Sequence, residues 1–161
     1  MRKFKKVSRE VFERDITLGN YDELILPKRG TRMSAGYDFV SPISFILKPG
    51  ESKIVPTGIK VMMEEDEYLA IFIRSSLGFK YNLRMCNQVG IIDSDYYNNE
   101  ENEGHIFIKI KNEGDKEVNI NKGDRIVQGI FMKYLLTDDD IATDKRLGGI
   151  GSTNKGDDNN E

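Results

Sequence analysis

Cysteine and histidine are nearly missing from this chain: each occurs once in 161 residues, as Cys86 and His105. A single cysteine excludes an intrachain disulfide. A lone histidine with no partner at ligand spacing would leave zinc to an unusual all-carboxylate set, so no zinc site is expected. It also leaves Ser75 and Ser76 without a neighbouring base, which argues against a triad nucleophile. No stretch resembles an apolar signal or a membrane span, and the cytoplasm is the expected location. Nor is positive charge in surplus. Lys and Arg number 24 against 27 Asp and Glu, a formal net charge of -3, so direct nucleic-acid binding is not expected. Net charge is silent about a small anion, which needs only locally placed Arg and Ser groups, with a divalent cation.

What the chain does have is short extended segments between turns. Its length suits one compact domain with a real hydrophobic core. Extended candidates are 43–47, 53–61, 69–73, 89–92, 105–110, 116–120 and 125–134. Turn signals fall between them, at Pro49-Gly50, Asn112-Glu113-Gly114-Asp115 and Asn121-Lys122-Gly123-Asp124. This spacing favours an all-β antiparallel barrel or sandwich over βαβ units, whose helical crossovers need a dozen residues or more. Residues 1–15 are charge-rich, yet Phe4, Val7, Val11 and Phe12 fall at helix-like or mixed spacing. An edge element, or a segment docked on a neighbour, competes there with a partly ordered terminus. From Thr137 the chain turns acidic and then Gly-rich. It has too little apolar area to hold itself, so its order must come from a ligand or another subunit.

Four segments carry chemistry. Gly90-Ile91-Ile92-Asp93-Ser94-Asp95-Tyr96 ends an apolar strand in two carboxylates and a ring: a group able to orient water beside a flat face for a sugar. Gly148-Gly149-Ile150-Gly151-Ser152-Thr153 offers backbone N–H groups to phosphates. Arg74-Ser75-Ser76 follows the apolar run 69–73, where a guanidinium and two hydroxyls can grip phosphate oxygens. In Asp124-Arg125-Ile126-Val127-Gln128, Arg125 and Gln128 share a face only at a bulge or an edge. Each also has a plain reading: an Asp-x-Asp turn, a solvated tail, a cap, a strand start. The Gly-rich tail lacks the Lys-Ser/Thr ending and the strand-loop-helix setting of a Walker loop.

Taken in order, five segments resemble the motifs of the trimeric deoxyuridine triphosphate nucleotidohydrolases, the dUTPases: Ala35-Gly36-Tyr37-Asp38, Arg74-Ser75-Ser76-Leu77, the Gly90 to Tyr96 run, Gly123-Asp124-Arg125-Ile126-Val127-Gln128 and Gly149-Ile150-Gly151-Ser152-Thr153. The resemblance covers about residues 20 to 154. It implies an antiparallel jelly-roll-like barrel of residues 1–136 and an acidic linker with a mobile Gly-rich arm at 137–161. It implies hydrolysis of dUTP to dUMP and pyrophosphate with Mg2+, which limits uracil in DNA and supplies dUMP for thymidylate synthesis. Asp93 would activate the attacking water. Arg74, Ser75, Ser76 and Gln128 would position the phosphates, and Asp38 would touch the water shell of a Mg2+ held mainly by those phosphates. Asn87, with backbone at Gly90 and Ile92, would read uracil, and Tyr96 would exclude a 2'-hydroxyl. Arg146, Ile150, Gly151, Ser152 and Thr153 would close over the substrate. The resemblance further implies a homotrimer with shared pockets, each tail lying over a neighbour's site.

The chain departs from that pattern in two places. A polar stretch, 97–104, lengthens the hairpin after Tyr96, and a rim of this kind is expected to spare the chemistry while leaving room for a regulatory protein partner. Ile150 stands where an aromatic is usual, with the upstream Arg146 one residue closer. Three other readings are a dCTP deaminase of the same fold, a nucleotide-binding regulatory protein with little catalysis, and a structural β-domain with no ligand.

Overall fold

The computed structural model describes residues 1–151. Alternation of buried and half-buried side chains makes short strands, as in Ile59–Met62, where Ile59 and Val61 point inward. In chain order the elements are β1 (Lys3–Lys6), α1 (Arg9–Asp15), β2 (Lys28–Arg29), β3 (Tyr37–Val40), β4 (Phe45–Leu47), β5 (Ser52–Pro56), β6 (Ile59–Met62), β7 (Glu67–Ile73), α2 (Ser75–Tyr81), β8 (Leu83–Met85), β9 (Gly90–Asp93), β10 (Phe107–Asn112), β11 (Val118–Ile120) and β12 (Arg125–Lys133). The strand expected over 53–61 is broken at Thr57-Gly58. Gly58 has a positive φ of 74°, and a Cβ there would come within 2.8 Å of the Leu24 side chain, so the chain turns where only glycine fits.

The strands pair antiparallel in four sheets, with orders β2-β3-β12-β7-β9, β5-β10-β8, β1-β6 and β4-β11. The expected jelly-roll-like barrel is thereby corrected, because no sheet among the described residues closes on itself. Closure of the five-stranded sheet would require its edges, β2 and β9, to find further ladders. β2 has only two residues and β9 four, so neither offers the run of backbone groups that closure needs. What remains is a β-rich fold of open sheets around a shared core that includes Phe39, Leu69, Ile71, Ile108, Ile110 and Val127.

The N-terminal segment takes the edge-element alternative. Phe4 sits in β1, paired with β6, and α1 buries Val11 and Phe12 in a second cluster with Val7 and Ile16. Ser8 caps α1, its hydroxyl accepting from the Val11 N–H at 3.2 Å. Burying side chains of this size is worth roughly 2 kcal/mol each, which offsets the cost of ordering so short a helix. No helix among the described residues is long and apolar enough to cross a membrane.

Candidate active site

Strand β9 is the edge of the five-stranded sheet, and it carries Asp93 out of the core at its last residue, opposite Tyr68 on β7. Asp93 is exposed and borders a pocket of about 250 Å³ that also includes Asn87, Gly90, Ile92, Tyr96, Arg146, Ile150 and Gly151. The fold therefore gathers at one place the residues expected to activate water and to read sugar and base. Gly90 matters because a Cβ there would lie 3.3 Å from Ile71 Cβ and 3.4 Å from the Met85 methyl. Bare backbone thus floors the pocket, as close approach of a flat ligand requires. Asn87 lies in the turn between β8 and β9, beside Gln88 at φ 65°.

Tyr96 is 6% exposed, and its hydroxyl donates to the His105 carbonyl at 2.8 Å and accepts from Asn102 Nδ2 at 2.8 Å. Burial pushes this hydroxyl above its ordinary value, against the Asn102 hydrogen bond and the Arg146 charge. The stretch 97–104, expected as a polar rim, is a buried turn at this point. Asn99 and Asn102 are buried; Asn99 Nδ2 donates to the Tyr96 carbonyl and to Asn102 Oδ1, which also accepts from the Gly104 N–H. Gly104, at φ 80°, packs so closely that a Cβ would meet the Tyr96 carbonyl oxygen at 2.6 Å. Asn98, Glu100 and Glu101 stay exposed as a polar tip, while Asn99 and Asn102 turn inward, because side-chain amides can satisfy one another inside a turn, which composition alone does not reveal.

The same turn is tied to α1. Glu103 accepts from the Ser8 N–H at 3.0 Å and from Lys60 Nζ at 2.9 Å. Burial alone would raise its carboxyl; the hydrogen bonds from Ser8 and Lys60 outweigh that and lower it to about 2. The buried His105 ring places Nδ1 2.7 Å from Asp15 Oδ2, while Nε2 accepts from the Gly58 N–H at 2.8 Å. Because Nε2 is an acceptor, Nδ1 carries the proton. Burial holds this imidazole below its ordinary value, opposed by the Asp15 carboxylate.

The C-terminal segment crosses this pocket within the one chain. Arg146 bonds Asp93 and Asp95, the latter at 2.8 Å, and its guanidinium lies over the Tyr96 ring at 5.7 Å. The Gly149 N–H donates to Glu101 at 2.6 Å. Ile150 is 80% exposed at the pocket rim. Ser152 and Thr153 lie outside the described residues.

The residues expected to hold phosphates lie elsewhere. Asp38 on β3 faces Gln128 on β12 and Lys28 on β2, and it pairs with Arg74 Nε at 3.3 Å and Arg125 Nη1 at 3.1 Å. A register shift between Arg125 and Val127 supplies the anticipated bulge. Gly36 has no side chain because the Gln128 amide occupies that space. Arg74 precedes α2, where the exposed Ser75 and Ser76 form the first turn. A cleft of about 300 Å³ beside Asp38 is lined by Lys28, Arg29 and Arg125. The sequence reading missed Lys28 and Arg29; the signal was the basic pair between Pro27 and Gly30. Among the described residues no three His, Cys, Asp or Glu side chains gather as a metal cage. Asp38, a single hard-oxygen donor already flanked by two guanidiniums, suits contact with a hydrated cation whose other ligands are phosphates and water.

Sheet geometry separates the two groups. Asp93 is level with Tyr68 on β7, whereas Asp38 is level with Gln128, which faces Phe72 on β7. Four residues along the strands and three strands across amount to roughly 13 Å and 14 Å, or roughly 20 Å in all.

A family model for dUTPase matches residues 22–154. The chain belongs to the dUTPase family. It is 48% identical over 130 residues to the deoxyuridine 5'-triphosphate nucleotidohydrolase of Lactococcus lactis, covering 80% of this chain and 87% of that protein. The Haemophilus influenzae (strain PittEE) protein of the same name is 34% identical over 149 residues, 88% of this chain and 93% of that one. Among solved structures, dUTPase from Streptococcus mutans superposes with a TM-score of 0.70 at 41% identity, covering 84% of this chain and 98% of that chain. The five dUTPase-like motifs thus fall inside a matched region that takes in both groups of residues, while α1 lies before it.

Proposed function

We propose that this chain hydrolyses dUTP to dUMP and pyrophosphate. The observation that carries the reading is Asp93, exposed at the end of β9 in a pocket floored by bare backbone at Gly90 and walled by Tyr96, in a member of the dUTPase family. Asp93 takes a proton from water as its oxygen attacks the alpha phosphorus; the bond from that phosphorus to the bridging oxygen breaks, and pyrophosphate leaves with the electron pair. Tyr96 lies beneath the deoxyribose and excludes a 2'-hydroxyl, while Asn87 and the backbone of Gly90 and Ile92 read the uracil edge. Arg74, Ser75, Ser76 and Gln128 hold the phosphate chain by charge-assisted and neutral hydrogen bonds. Asp38 would hold a hydrated Mg2+ through its waters, and the bound ion would offset charge growing on the phosphate oxygens.

The assembly is a homotrimer with shared pockets. The separation of roughly 20 Å between Asp93 and Asp38 supports this, since groups so far apart in one chain cannot serve the same phosphorus. Residues 1–136 form the β-domain, and the segment from 137 onward acts as an arm that brings Arg146, Ile150 and Gly151 to the substrate. Arg146 must leave Asp93 and Tyr96 before it can meet a phosphate. Purified protein with Mg2+ and each of dUTP, dCTP, dTTP and UTP tests the reading: pyrophosphate from dUTP, with little from the others, is expected. Ammonia from dCTP would favour the deaminase instead, and binding without pyrophosphate would favour a regulatory protein.

A further inference from the structure

The stretch that lengthens the hairpin after Tyr96 does more than extend a rim. Tyr96 hydroxyl has two protein partners in opposite roles, the His105 carbonyl as acceptor and Asn102 Nδ2 as donor, both at 2.8 Å. With one bond, the hydroxyl can swing about its partner; with two, its position and the tilt of the ring are fixed. Asn102 is itself held. Its Oδ1 accepts from Asn99 and from the Gly104 N–H, and Asn99 Oδ1 accepts from the N–H groups of Glu101 and Asn102. On the other side, His105 is locked by Asp15 and Gly58.

We propose that Asn102 is a positioning residue for sugar selectivity: its amide fixes the Tyr96 hydroxyl, and so the ring face on which the deoxyribose packs, making the hairpin tip part of the discrimination against ribonucleotides. The inference rests on the reading of Tyr96 as the residue beneath the sugar. A ring free to tilt by about 1 Å would open room for a 2'-hydroxyl, and exclusion of one oxygen depends on rigidity of that order. Asn102 acts through Tyr96 and needs no contact with the nucleotide.

The test measures kcat/KM for dUTP and for UTP in the wild-type protein, Tyr96→Ala, Asn102→Ala, Tyr96→Phe and the double variant Tyr96→Phe/Asn102→Ala. Tyr96→Ala should collapse the dUTP-to-UTP ratio. Asn102→Ala and Tyr96→Phe should each lower it about 10-fold, the scale of one buried hydrogen bond, and the double variant should be no worse than either. A merely structural role lowers the folded fraction and scales both substrates equally, so the ratio does not register it. If Asn102→Ala yields no folded protein, Tyr96→Phe removes this bond together with the one to the His105 carbonyl while leaving the ring intact, and an unchanged ratio there still overturns the inference. An unchanged ratio in Asn102→Ala or Tyr96→Phe, beside a collapsed one in Tyr96→Ala, overturns the inference and spares the reading of Tyr96. An unchanged ratio in Tyr96→Ala overturns both.

Discussion

Tyr96 and Asp38 meet the solvent on opposite terms within one molecule. The Tyr96 hydroxyl is buried in a network of neutral amides and carbonyls in which each donor and acceptor has a protein partner. Asp38 lies among Lys28, Arg74 and Arg125 at an open cleft. A neutral network fixes geometry and leaves no charge for a ligand to compensate, which suits shape selection of a sugar and a base. A cluster of cations around one carboxylate keeps charge available, so an arriving triphosphate can take over guanidinium hydrogen bonds now made to Asp38. On the proposed function the chain separates selection from charge handling, and if Asp93 beside Tyr96 and the cations around Asp38 serve one substrate, the roughly 20 Å between Asp93 and Asp38 requires that they meet across a subunit boundary.

The sharpest break of this comparison is to damage each half in a different chain. Asp93→Asn should lower turnover by about 100-fold or more while leaving nucleotide binding nearly intact, the scale for removing a positioned general base. Arg74→Ala should cost about 10-fold or more in kcat/KM by removing a charge-assisted contact. Mixed under conditions where subunits exchange, the two variants should regain activity toward about a quarter of wild type, because one neighbouring pair in four combines an intact Asp93 with an intact Arg74. Exchange shown by mass spectrometry with no activity regained would mean that each chain carries its own complete site.

A second break uses acid, to which the tip should respond first. Burial holds His105 below its ordinary value, so the folded state binds fewer protons there than the unfolded chain. Stability contributed in this way is present above the unfolded value of about 6.5 and is lost as pH falls below it. Asp15, Arg14 and Glu103 face this ring. Glu103, lowered to about 2, adds a loss in the same direction, but only below the usual glutamate value of about 4.3. The thermal midpoint should therefore fall between pH 7 and pH 5, before the carboxylates titrate. A midpoint flat over that range would show that His105 is not held neutral by the fold.

Much of the site was legible in the sequence, and the unread part follows a physical pattern. Asp93 and Arg74 stood out because each closes an apolar strand, a boundary that is a property of local composition, whereas Gln128 lies inside β12 and stood out only through the family pattern. The two-residue period of a strand left a bulge or an edge position as the ways for Arg125 and Gln128 to share a face, and the register shift between Arg125 and Val127 is the bulge. Asn99 and Asn102 were unreadable for the opposite reason: a run of Asn and Glu is hydrophilic whether it is solvated or closed on itself, and only the partners decide. The barrel was expected because strand spacing carries no information about whether the edge strands find each other. Helix α2 was missed where Gly78 interrupts its middle, and α1 was half visible in Val7, Val11 and Phe12.

The smallest effect, and the one that refines the comparison most, concerns the arm. Ile150 borders the Asp93 pocket yet is 80% exposed, so it contributes little to the folded chain and leaves room for a larger side chain. Ile150→Phe should leave the thermal midpoint unchanged, since no core packing is disturbed. If the arm covers the base, an aromatic ring there adds stacking worth about 0.5 to 1.5 kcal/mol, or roughly 2- to 10-fold in KM for dUTP. kcat should stay constant or fall slightly as product is held longer. Steady-state kinetics with dUTP and with inorganic triphosphate, which has no base to cover, separates the explanations. Tighter dUTP with unchanged triphosphate inhibition places residue 150 over the uracil. Tightening of both would place it over the phosphates, on the charge-handling side, and no change in either would remove it from the site.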